Sequence, residues 1–80
     1  MYFIECIKGN VVTFIEESES EEEIHKIMHE RKVFTETVGY VTEKGDNGSI
    51  LVKNPADGAL IATLRIVSNG VARGRLREEK

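Results

Sequence analysis

The chain has 80 residues, 40% of them hydrophobic and 31% charged, with a formal net charge of −3. That length is a single domain spanning residues 1–80, with room for one two-layer core and little for a deep pocket. The balance excludes a disordered chain, and no apolar run approaches the roughly 20 residues of a spanning helix, so a membrane role is not expected.

Residues Tyr2 to Ile7 and Val11 to Ile15 are rich in β-branched and aromatic side chains, with Gly9-Asn10 between them where a II′ turn takes glycine first. The pattern predicts a hairpin pairing Ile7 with Val12, Cys6 with Thr13 and Glu5 with Phe14. One face then carries Phe3, Ile7, Val12 and Phe14, and the other Tyr2, Ile4, Cys6, Val11 and Ile15. Both faces are largely apolar, so one helix covers only one of them, and the rest of the sheet or a second subunit is expected on the other. A homodimer is compatible with that surplus.

A helix is predicted from about Glu21 to Arg31. Ile24, Ile27 and Met28 fall at i, i+3, i+4, and Ser18 with Glu21 and Ser20 with Glu23 both read as capping boxes. Glutamates in the first turn and Arg31 and Lys32 near the expected end suit the helix dipole. Glu36 to Lys44 then alternates as a strand with a bulge at Gly39, Gly45 to Gly48 is a turn, Ser49 to Lys53 a strand and Asn54 to Gly58 another turn.

Leu60, Ala62, Leu64 and Ile66 form one apolar face of a strand, and Val71 to Arg77 is predicted to return beside it after Ser68-Asn69-Gly70. That register puts Arg65 opposite Arg73, with Arg75 and Arg77 in the same row, so a compensating anion is expected nearby. The fold class is therefore α+β: a mostly antiparallel sheet of five to six strands with one helix packed on it, in the order ββαββββ.

Charge is segregated. Six of the eight residues Glu16 to Glu23 are glutamates, whereas Arg65, Arg73, Arg75 and Arg77 lie in the last sixteen. Two interaction surfaces follow: an acidic one made by Glu16, Glu17, Glu19, Glu21, Glu22 and Glu23, suited to a protein with a basic surface, and an arginine row suited to phosphates or an acidic surface, or else neutralised within the fold by Glu36, Glu43 or the acidic run. No aromatics interleave with the arginines, which disfavours a base-stacking sheet.

No catalytic constellation is apparent, and no enzyme or cofactor is expected. His25 and His29 share a helix side at i, i+4, but two ligands are not a metal site. Cys6 alternates with Ile4 as a small buried hydrophobe; a single cysteine, together with the absence of a basic-then-apolar leader, reads as cytoplasmic. The function expected from sequence is a small non-enzymatic interaction module that regulates or inhibits a partner protein through its charged faces. The alternative is a nucleic-acid-binding domain using the arginine strand.

Overall fold

A computed structural model describes residues 1–68. The segment from Val71 that was expected to return as a strand, with Arg73, Arg75 and Arg77, lies outside the described residues. Five strands and one long helix follow the order β1 (Tyr2–Lys8), β2 (Val11–Ser18), α1 (Glu21–Thr37), β3 (Val41–Lys44), β4 (Ile50–Lys53) and β5 (Leu60–Ser68). All pairings are antiparallel, and the sheet order is β2-β1-β5-β4-β3. The α+β expectation holds.

The first hairpin has the expected register, Ile7 against Val12, Cys6 against Thr13 and Glu5 against Phe14. Gly9 has a φ of 60° while Asn10 has a negative one, as a II′ turn requires. Beyond Phe14 the sequence reading missed a bulge: Ile4 pairs with Glu16, and Ile15 is skipped. The extra residue reverses the alternation of β2, so Glu16 and Ser18 come to the helix side of the sheet. Both then meet the helix.

α1 packs on the side formed by Ile4, Ile50, Val52, Ala62 and Leu64, burying Ile24 and Met28 among them. Ser20 is the N-cap and accepts the Glu23 N–H at 3.1 Å. The reciprocal half of the predicted capping box is made differently: the Ser20 N–H donates to Ser18 Oγ, and the Ser18 hydroxyl donates to Glu23 Oε1. The helix also runs six residues past the expected end at Arg31. Extension of a nucleated helix is inexpensive, and the Lys32–Glu36 pair at 2.9 Å supports the added turns, where the Thr35 and Thr37 hydroxyls donate to the Arg31 and Val33 carbonyls.

Residues 36 and 37, predicted as strand, are consequently helical, and Arg31 and Lys32 lie mid-helix. Gly39 is not a bulge but the left-handed residue that ends α1, with a φ of 107°. Its N–H donates to Glu36 O and the Tyr40 N–H donates to Thr35 O, the paired bonds of a Schellman motif.

β5 lies inside the sheet, between β1 and β4. The predicted hairpin used one of its sides for the segment from Val71, but Leu64 has Cys6 on one side and Ile50 on the other. Ala62 and Leu64 are buried as expected. Leu60 is 58% exposed, because a second register shift pairs it with Lys53, skips Ile61 and turns Leu60 away from the core that Ile61 joins.

Candidate functional site: the charged faces

Glu16, Glu17, Glu19, Glu21, Glu22 and Glu23 are brought to one corner by the passage from the end of β2 into the first turn of α1. They are not equivalent there. Glu16, delivered to the helix side by the bulge, accepts from Arg31 Nε at 3.0 Å and also from its terminal nitrogen. Glu23 is held by the Ser18 hydroxyl. Glu17, Glu19, Glu21 and Glu22 are exposed and form no ion pair among the described residues.

Two carboxylates elsewhere on the surface meet cations. Glu36 pairs with Lys32, and Glu43 with Lys53 at 3.1 Å. The Thr42 hydroxyl and then Lys32 hold the Glu36 carboxyl below the usual carboxylate range.

Arg65 sits on the sheet face away from α1, where its Nε donates to Glu5 Oε1 at 2.6 Å. The two residues are direct cross-strand partners, and Glu5 is fully buried. The anion expected beside Arg65 thus exists, but it is Glu5 rather than Glu36, Glu43 or the acidic run. The same face holds Phe3 and Phe14, rings 5.5 Å apart and inclined at 46°. Glu5 is the residue that sequence reasoning missed. Its signal was a lone acid inside the apolar β1 and a lone base inside the apolar β5, each needing the other.

Comparison with protein-family models, with curated proteins and with solved structures gives no match.

The remaining candidates do not converge. His25 and His29 are exposed on α1 beside Lys32, Glu43 and Lys44, and among the described residues no three His, Cys, Asp or Glu side chains are grouped to hold a metal. Half-buried Cys6 lies on an apolar groove of about 310 Å³ whose lining includes Phe34, Val38 and Tyr40 but neither histidine. No helix among the described residues is long and apolar enough to cross a membrane.

Proposed function

We propose that this chain is a small non-enzymatic interaction module that docks a basic surface of a partner protein on the corner formed by Glu17, Glu19, Glu21 and Glu22, and by that docking regulates or inhibits the partner. One observation carries the reading. Among the described residues these four carboxylates are exposed, close together in sequence and without an ion pair, whereas Glu5, Glu16, Glu36 and Glu43 each have one; Glu30, Asp46 and Asp57 make none either, but they stand singly. The dipole of α1 offsets part of the repulsion for Glu21 and Glu22, and a basic surface relieves the rest. The lone thiol of Cys6 fits a reducing, cytoplasmic setting.

The nucleic-acid alternative loses support at Arg65, whose guanidinium is engaged by buried Glu5. Its remaining residues, Arg73, Arg75 and Arg77, lie outside the described residues.

The test is affinity capture from lysate after nuclease treatment, with the native chain and with Glu17→Lys, Glu19→Lys and Glu22→Lys combined. Glu23 is left in place because it secures the helix start through Ser18. A defined protein recovered by the native chain and lost by the charge reversal is the expected result. Equal recovery by both would refute the acidic-corner reading, and nucleic acid recovered in untreated lysate would favour the alternative.

A further inference from the structure

β2 is the outer strand at one side of the described sheet, and its eight residues are twice the length of β3 at the other side. The two-residue Gly9-Asn10 turn fixes which of its backbone groups face outward. Such a turn is closed by a hydrogen-bonded pair, here Lys8 and Val11, and bonded and non-bonded pairs alternate from there. Cys6 and Thr13 are bonded to each other. The N–H and C=O groups of Val12 and Phe14 therefore point away from β1.

That row of outward groups is continuous with the acidic corner, since Glu17 is in β2 itself and Glu19 follows directly. A second copy of β2 laid antiparallel would bring its Gly9-Asn10 turn to the corner, with the single cation Lys8 facing several glutamates. An extended basic segment would bring the complement. The side chains of Val12 and Phe14 are half-buried on the face shared with Phe3, so a strand laid beside them meets an apolar surface at alternate positions.

We propose that the outer edge of β2 takes an extended segment of a partner protein as an additional strand, β-branched or apolar opposite Val12 and Phe14 and rich in Lys or Arg where it passes Glu17, Glu19 and Glu22. Main-chain hydrogen bonds hold the segment and the charges select it. The inference rests on the acidic-corner reading and adds the mode of recognition to it.

The probe is a synthetic peptide, Lys-Arg-Lys-Arg-Val-Thr-Val-Thr, which as an antiparallel strand puts its basic end at the corner; its control carries Glu in place of every Lys and Arg. Amide hydrogen exchange of the full chain reads the result residue by residue. The basic peptide is expected to slow exchange at the Val12 and Phe14 amides by about tenfold or more, with Thr13, already bonded to β1, unchanged and with no effect of the acidic control. Val12→Pro removes an outward donor without touching the β1 ladder, and should abolish the protection while circular dichroism stays native.

Peptide binding that shifts the glutamate resonances but leaves Val12 and Phe14 unprotected overturns the strand-addition inference and leaves the acidic-corner reading standing. Absence of binding also overturns the inference. The capture experiment with the charge-reversed chain judges the acidic corner separately.

Discussion

Glu5 and Arg65 each look out of place in their own strands and make sense together. β1 is otherwise an apolar run around Glu5, and β5 is apolar around Arg65, yet the sheet order sets them side by side with 2.6 Å between Oε1 and Nε. A fully buried carboxylate tolerates dehydration only while it is compensated. Arg65→Ala is therefore expected to destabilise the fold by on the order of 3 kcal/mol, read from urea unfolding. A loss of a few tenths would show the pair to be incidental. Glu36 offers a gentler case at the surface. Its carboxyl titrates below the ordinary range, chiefly through the Thr42 hydroxyl and then Lys32. A folded value below the unfolded one means stabilisation present at neutral pH and lost as pH falls through the folded value. Carbon-detected NMR titration should find the Glu36 midpoint lowered, and Thr42→Val should move it back up.

Among the elements, the first hairpin was legible because turn chemistry and alternation agreed, and its register came out as read from Gly9-Asn10. The start of α1 was legible for the same reason: Ser20 and the glutamates behind it are local signals. Its end was not. Past Arg31 the apolar spacing fades, since only Ile24 and Met28 are buried, so the last turns rest on Lys32–Glu36 and on the backbone bonds that close the helix at Gly39. The stop is Gly39, whose φ of 107° suits no other residue well. Gly39→Ala is expected to cost about 1–3 kcal/mol in thermal unfolding, with no change in helix content at low temperature. An unchanged melting temperature would mean that the Schellman bonds do not depend on glycine. Bulges at Ile15 and Ile61 escaped the sequence because nothing local marks them. Their effect is clear only when a partner strand is in view: one turns Glu16 toward Arg31, and the other turns Leu60 out.

For the whole molecule, fold class was readable and strand order was not. Placing β5 between β1 and β4 depends on contacts far apart in sequence, and a hairpin reading of residues 60–77 took account only of local partners. The candidate site was half legible. Its acidic half stands in the sequence as a run of glutamates, but that Glu16 among them pairs with Arg31 depended on the bulge. The arginine half could not be judged without knowing that Arg65 meets Glu5. Among the described residues, ion pairs tie Glu5, Glu16, Glu36 and Glu43 to cations, and Glu17, Glu19, Glu21 and Glu22 at the β2–α1 corner make none. The most direct test of that account is the salt dependence of affinity for the captured partner, measured for the native chain and for the Glu17, Glu19 and Glu22 reversals to Lys. Affinity that weakens steadily as ionic strength rises, and is abolished by the reversals with the fold intact, is the expected result. Affinity indifferent both to salt and to the reversals would contradict it.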